Sequence, residues 1–157
     1  LANLAPAEMA ARAPNLRALL EDPERLKLLH FARFDLAAFR HWLDARARPV
    51  FCTKIASRLV RTFTDRHGLR DICRELLGVE ISKEQQSSDW GAETLTEAQQ
   101  GYAASDVLHL HALKDKLDAM LAREGRLEAA AACFDFLPTR AELDLAAGEG
   151  FDIFAHS

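Results

Sequence analysis

The sequence has no apolar run that approaches the roughly 20 residues needed to cross a bilayer. Its first residues also lack the basic stretch followed by an apolar segment that marks a secretory signal. The three cysteines, Cys52, Cys73 and Cys133, are spaced too widely for a zinc pattern or a disulfide framework. We therefore expect a protein without a membrane partner that works in the reducing cytoplasm.

Internal repeats and low-complexity segments are absent too, so the 157 residues are expected to form one domain around a single core. Hydrophobic residues make up 49% of the chain and charged residues 28%, which is typical of a globular domain.

The net charge of −4 argues against a generic nucleic-acid binder, but the charges are unevenly distributed. Residues 46–74 contain eight basic and two acidic side chains, whereas residues 141–157 contain four acidic and no Lys or Arg side chains. A basic segment in an acidic protein is what a polyanion site requires. A solvated face of charged helices explains the same pattern, and both interpretations stay open.

Short apolar runs at residues 26–32 and 50–53 predict two buried strands. Helical spacing of apolar residues predicts a short helix over residues 14–20 before the first strand, and helices over residues 34–43 and 55–63 after the two strands. This order predicts a parallel strand pair joined by a crossover helix.

The remainder of the chain is predicted to be mainly helical. One helix is expected over residues 67–77, and a polar surface loop over residues 80–93. The capping box Thr96-x-x-Gln99 opens a long helix that runs to about residue 123. Its apolar face is predicted to comprise Leu110, Leu113, Leu117, Met120 and Leu121. A last helix is expected over residues 127–134 or beyond, and Thr139 could cap a further one.

Asp106 lies within the predicted long helix, one turn after Tyr102, the only tyrosine of the chain. Residues four apart lie on the same helix face, roughly 6 Å apart at Cβ. A carboxylate beside small and apolar neighbours is costly unless another group offsets its charge. A divalent cation would do so, and so would a nearby arginine. The helix alone leaves both explanations open.

Asp35 is a second candidate, because it closely follows the first predicted strand at the start of the next helix. In open α/β sheets, ligands bind in the crevice beyond the carboxyl ends of the strands. The alternative is an ordinary first-turn residue that interacts with the helix dipole.

Several motifs together resemble one family. The segment His30-Phe-Ala-Arg-Phe-Asp35-Leu resembles the second motif of the ribonuclease D branch of the DEDD 3′–5′ exonucleases, and Tyr102-Ala-Ala-Ser-Asp106-Val resembles the third motif in its tyrosine form. Further patterns similar to the family lie between them: His67-Gly-Leu-Arg-Asp, Leu76-Leu-Gly78, Lys83-x-Gln85-Gln-Ser-Ser-Asp89-Trp90 and Leu95-Thr-x-x-Gln99. The resemblance covers residues 15 to about 123.

The resemblance implies an α/β protein with a ribonuclease H-like 3′–5′ exonuclease fold. Its implied activity is hydrolysis of phosphodiester bonds at the 3′ end of RNA or single-stranded DNA with two metal ions, a role suited to Mg²⁺ or Mn²⁺. By the same resemblance, Asp106 is a direct metal ligand, Asp35 a ligand acting largely through water, and Tyr102 the residue that orients the attacking water.

Contacts to the nucleic acid are predicted for six further residues of the motifs and the basic segment: His30, Arg33, Arg66, Arg70, Gln86 and Ser88. Arg66, Arg70 and Arg74 are spaced four residues apart, from just before the predicted helix over residues 67–77 into it. This spacing suggests a basic stripe, and a solvated helix face is an equal alternative.

The first motif of the family, an Asp-x-Glu on the opening strand, has no counterpart before Asp35. We therefore expect residues 1–157 to form a single, partial exonuclease domain that is helix-rich because its opening strands are missing. With only Asp35 and Asp106 as ligands, this chain alone is expected to bind catalytic metal weakly and to degrade nucleic acid poorly. An exposed sheet edge would favour self-association into a homo-oligomer.

Two other functions compete with the exonuclease. A non-catalytic module of the same fold would bind single strands through the basic segment, with an affinity that falls steeply with salt. A purely structural helical domain is disfavoured by the ordered series of motifs. Both RNA and single-stranded DNA stay open as substrates, and contacts to the ribose 2′-hydroxyl would distinguish them.

Overall fold

The computed structural model describes residues 13–81 and 97–156 together with residues 5, 8 and 11, and between residues 97 and 107 it describes the backbone. The elements in chain order are α1 (Pro14–Glu21), β1 (Lys27–Leu29), α2 (Ala32–Leu43), β2 (Val50–Cys52), α3 (Thr53–Val60), α4 (Leu69–Ile72), a π-helix (Cys73–Leu77), α5 (Glu97–Arg123) and α6 (Leu127–Ala147).

The two strands form the parallel pair that the sequence predicts. Lys27 lies opposite Val50, and Leu29 lies opposite Cys52, with α2 as the crossover helix. Both strands end earlier than predicted, because Ala32 and Thr53 are already the first residues of helices. The α/β class is thus confirmed, in a molecule with many helices and a small parallel sheet.

The core lies between the sheet and the long helices. Helix α6 packs against α2 and β2, and helix α5 packs against α3, β1 and the π-helix. Strand β2 is buried along its whole length, as expected for a strand covered on both faces. Leu113, Leu117 and Leu121 recur every four residues on α5 and are fully buried, which confirms the predicted apolar face.

Helix α3 ends at Val60, and the prediction that the helix continues to Phe63 is wrong. Phe63 is 76% exposed, whereas the Arg61 side chain is buried. Arg61 donates hydrogen bonds to the Ser57 hydroxyl, the Arg66 carbonyl and the Glu75 carboxylate. These bonds hold residues 61–66 as a loop, which a search for apolar periodicity could not detect.

The predicted helix over residues 67–77 begins at Leu69 and changes to π geometry at Cys73. Because Arg66 precedes the helix and the π turn alters the spacing, Arg66, Arg70 and Arg74 do not follow one regular stripe. Arg74 instead pairs with Asp71, with 3.0 Å between the guanidinium and the carboxylate.

The last helix is continuous from Leu127 to Ala147, so the prediction of a further helix capped at Thr139 is wrong. Pro138 lies inside α6 without ending it. Burial of Leu137, Pro138 and Ala141 stabilises the helical path despite the missing backbone N–H of the proline.

No helix within the described parts of the chain is long and apolar enough to span a membrane. Cys52 and Cys73 are buried, Cys133 is exposed, and none of the three forms a disulfide. The predicted loop beyond Ile81, including Trp90, lies outside the described residues.

Candidate active site

The carboxyl ends of the two strands are joined by side-chain contacts. The backbone N–H of Ala32, at the start of α2, donates to the Cys52 thiol over 3.4 Å. The ring nitrogen Nδ1 of His30 lies 2.8 Å from the Thr53 hydroxyl, which is itself 3.4 Å from the Leu29 carbonyl oxygen. These contacts hold the N-termini of α2 and α3 together at one edge of the sheet.

His30 is partly buried at this edge. Burial, and secondarily the positive charge of Lys54, lowers the pKa of His30 to about 4. The ring is therefore neutral at physiological pH, and its contact with Thr53 gives it a structural role in joining the strand ends. A contact with nucleic acid stays a prediction for His30.

Asp35 lies in the first turn of α2, at the same edge of the sheet. Its side chain is half-buried, and burial raises the pKa of the carboxyl group from 3.8 to about 6. Within the described parts of the chain, Asp35 has neither a hydrogen-bond partner nor an ion-pair partner. A carboxylate in this state is stabilised by a bound cation, so its surroundings fit a metal ligand.

Arg33, two residues before Asp35, is held by helix α6. Its guanidinium donates two hydrogen bonds to the Asp144 carboxylate, over 2.6 and 2.7 Å, and a third to the Glu149 carbonyl over 2.7 Å. Arg140 also donates to Asp144, over 2.8 Å. The contact of Arg33 with nucleic acid stays a prediction. The hydrogen bonds to Asp144 and Glu149 explain the position of the Arg33 side chain without a ligand.

The structure describes two of the four remaining predicted nucleic-acid contacts. Arg66 is an exposed loop residue, and Arg70 lies on α4 with its Nε 4.0 Å from the Glu80 carboxylate. Gln86 and Ser88 lie outside the described residues. These four stay predictions.

Tyr102 and Asp106 lie on helix α5, as predicted, and α5 packs against β1 and α3. Their side chains lie outside the described residues, so their roles stay predictions. Among the described side chains, no group of three or more His, Cys, Asp or Glu residues could hold a metal ion.

Three residues at this edge were not identified from the sequence. The rings of Phe31 and Phe34 are both exposed, and the Lys54 ammonium lies 4.2 Å from the centroid of the Phe31 ring. A signal for Lys54 was available, since it follows the second predicted strand much as Asp35 follows the first. No periodic pattern marks the two phenylalanines as exposed.

Comparison with known proteins identifies relatives over most of the chain. Ribonuclease D of Gluconacetobacter diazotrophicus is 41% identical over 113 residues, which are 72% of this chain and 28% of that protein. The chain thus spans less than a third of the length of this curated relative.

Several solved structures are also similar to this chain in fold and sequence. NrnC of Brucella melitensis with bound Mg²⁺ is 59% identical, with a TM-score of 0.86 over 92% of this chain and 70% of that one. NrnC bound to pGG is 60% identical, with a TM-score of 0.85 and the same coverage. Ribonuclease D of Escherichia coli is 30% identical, with a TM-score of 0.72 over 82% of this chain and 34% of that one.

The predicted ribonuclease H-like exonuclease fold is confirmed by these structural matches. A family model described as 3′–5′ exonuclease matches residues 2–122. These residues include both motifs from which the resemblance was inferred, and the chain belongs to the 3′–5′ exonuclease family.

Proposed function

We propose that the protein removes nucleotides from the 3′ end of RNA or single-stranded DNA by metal-dependent hydrolysis. The observation that carries this proposal is the state of Asp35. A half-buried carboxylate with a raised pKa and no cationic partner among the described residues stands at the carboxyl edge of the sheet. Ligand sites in α/β proteins form at this edge.

Asp35 and Asp106 would hold the divalent cations, which when bound stabilise the attacking and leaving oxygens of the phosphodiester. Carboxylate oxygens are hard ligands that suit Mg²⁺ or Mn²⁺. The Mg²⁺ bound in the related NrnC of Brucella melitensis supports this choice of ion.

Tyr102 would orient the attacking water through its hydroxyl. It is separated from Asp106 by one turn of α5, so both positions share one face of that helix. Because α5 contacts β1, this helix and Asp35 can belong to one site. Removal of the hydroxyl in Tyr102→Phe is expected to lower kcat more than it changes KM.

The substrate is proposed to be single-stranded. NrnC of Brucella melitensis was solved bound to pGG, which makes pGG the first substrate to test. Matched RNA and DNA strands of one sequence would then measure the sugar preference, since only RNA offers a 2′-hydroxyl.

The decisive experiment compares the purified full-length protein with its Asp106→Asn variant. Strands labelled at the 5′ end should shorten stepwise from the 3′ end in Mg²⁺, and EDTA should stop the reaction. Asp106→Asn is expected to lower kcat at least about 100-fold, because it removes charge that offsets the cations.

Asp115→Asn is the matched control, since Asp115 is an exposed aspartate on the same helix. Cleavage that continues unchanged in Asp106→Asn would contradict the proposal. Tight binding of single strands without cleavage by the wild-type protein would instead support the non-catalytic binding module.

A further inference from the structure

An exposed pair of aromatic rings stands at the start of α2, directly before Asp35. The Phe31 and Phe34 rings are nearly parallel, with 8° between their planes and 6.0 Å between their centroids. They are 45% and 56% exposed, respectively. Phenylalanine is among the residues most often buried, so core packing does not explain two neighbouring exposed rings.

The backbone at Phe31 is strained as well. Phe31 adopts left-handed dihedrals, with φ 59° and ψ 50°, at the N-cap position of α2, and its side chain makes no capping hydrogen bond. Bulky residues rarely adopt this conformation, whereas Ser, Thr, Asp and Asn favour N-cap positions. Strained residues of this kind cluster at ligand sites, where the surrounding structure holds a side chain in a required position.

A positive charge accompanies the rings. The Lys54 ammonium lies 4.2 Å from the Phe31 centroid, a cation–π contact. Within the described part of the chain, Lys54 has no carboxylate within ion-pair distance. Its charge remains available to an anion, and the more exposed Phe34 ring remains available to a flat apolar group.

We propose that Phe31 and Phe34 form a stacking surface for a base of the single-stranded substrate, while Lys54 contacts its phosphate backbone. This inference rests on the proposed function, because it describes how the same site binds its substrate. Proteins that bind single strands combine aromatic stacking with basic contacts to phosphate, which is the composition found here. Stacking is tolerant of sequence, so the surface would accept any base next to Asp35.

Steady-state kinetics of the full-length protein test the stacking. Two substrates are compared, a natural strand and a matched strand with abasic residues at the last two positions of its 3′ end. Phe34→Ala is expected to raise KM for the natural strand about tenfold. The wild-type protein should lose a similar factor on the abasic strand, and Phe34→Ala should lose nothing further there.

The control is Phe154→Ala, because Phe154 is 75% exposed and also packs against another phenylalanine, Phe136. Phe154→Ala should leave KM unchanged, and Phe34→Trp should retain the wild-type KM because indole also stacks on bases. Circular dichroism of each variant verifies the fold. If Phe34→Ala does not fold, Phe34→Leu replaces it with the same expected loss, because leucine keeps apolar bulk without an aromatic face.

The role of Lys54 is tested by the dependence of KM on salt. Lys54→Gln should lower the slope of log KM against log salt by about one, and Lys54→Arg should restore it. An unchanged slope in Lys54→Gln would remove Lys54 from the proposal.

Three outcomes separate the alternatives for the aromatic surface. If the losses from Phe34→Ala and from the abasic strand multiply, the base stacks elsewhere and the inference is overturned. If Phe34→Ala changes the sedimentation mass and leaves KM alone, the rings form a contact between copies of the chain, which also overturns it. If the wild-type protein shortens no 3′ end, the proposed function itself fails.

Discussion

Two carboxylates on the packed helices α2 and α6 differ in what surrounds them. The Asp144 side chain is 5% exposed and accepts hydrogen bonds from both Arg33 and Arg140. These arginines hold the pKa of its carboxyl group below the usual 3.8. Asp35, two residues from Arg33, has no such partner among the described residues, and burial raises its pKa to about 6.

The difference indicates a structural role for Asp144 and a ligand-binding role for Asp35. The charge of Asp144 is neutralised within the protein, so its contribution is to hold α6 against the start of α2. The charge of Asp35 is partly withdrawn from water, and no described side chain compensates it, which costs free energy in the absence of a cation. Such a residue is better explained by binding than by folding.

The largest effect is expected for Asp144→Asn. Loss of the carboxylate leaves two arginines without their anion and should lower the free energy of unfolding by about 3 kcal/mol, the low end for a broken buried pair because Arg33 is partly exposed. Chemical denaturation measures this. The kcat of the folded fraction should be nearly unchanged. A loss of kcat without a loss of stability would contradict the structural role of Asp144.

Asp35→Asn should have the opposite profile. Removing this carboxylate is expected to lower kcat in Mg²⁺ about 100-fold, since the charge that would offset the cations is lost. Initial rates on pGG, with Asp115→Asn as the control, check the prediction. Full activity of Asp35→Asn would exclude Asp35 from the site.

A smaller effect concerns stability without metal. Ionised Asp35 opposes folding, so Asp35→Asn should raise the free energy of unfolding at pH 7 in EDTA by about 1 kcal/mol, after allowing for solvent screening of a half-exposed group. Thermal and denaturant unfolding of both proteins measure it. A destabilised Asp35→Asn would mean that the carboxylate has a structural partner.

The contributions of Asp35 and Asp144 to the free energy of unfolding should depend on pH with opposite signs. Because the pKa of Asp35 is raised in the folded protein, its protonated carboxyl group contributes to the free energy of unfolding. This contribution is fully present below about pH 3.8 and is lost as the pH rises through about 6. The lowered pKa of Asp144 means that its contribution is present above 3.8 and is lost as pH falls through its folded value. Unfolding between pH 3 and 7 of the wild type and both Asn variants would reveal the two opposite slopes.

Much of the fold followed from local patterns. The strand–helix–strand order predicted the parallel pair, and the four-residue spacing of Leu113, Leu117 and Leu121 predicted the buried face of α5. The position of Asp35 after a strand indicated the edge of the sheet where it lies. These features depend on periodicity and chain order, which a sequence displays directly.

The sequence-based predictions of helix ends were wrong where side chains from distant segments determine the backbone conformation. The end of α3 depends on Arg61 reaching Glu75, and the continuity of α6 through Pro138 depends on the burial of its neighbours. Both effects come from tertiary contacts that override local preference.

The sequence by itself determined the family, the order of the elements and the identity of the candidate acidic ligands, because motifs and hydrophobic spacing are local. Only the tertiary structure decided which charges are already compensated. It assigns Arg33 to Asp144 across 111 positions of the chain. It also leaves the Phe31 and Phe34 rings exposed just before Asp35, with the Lys54 ammonium over the Phe31 ring. Burial and pairing depend on contacts between distant residues, and these exist only once the chain has folded.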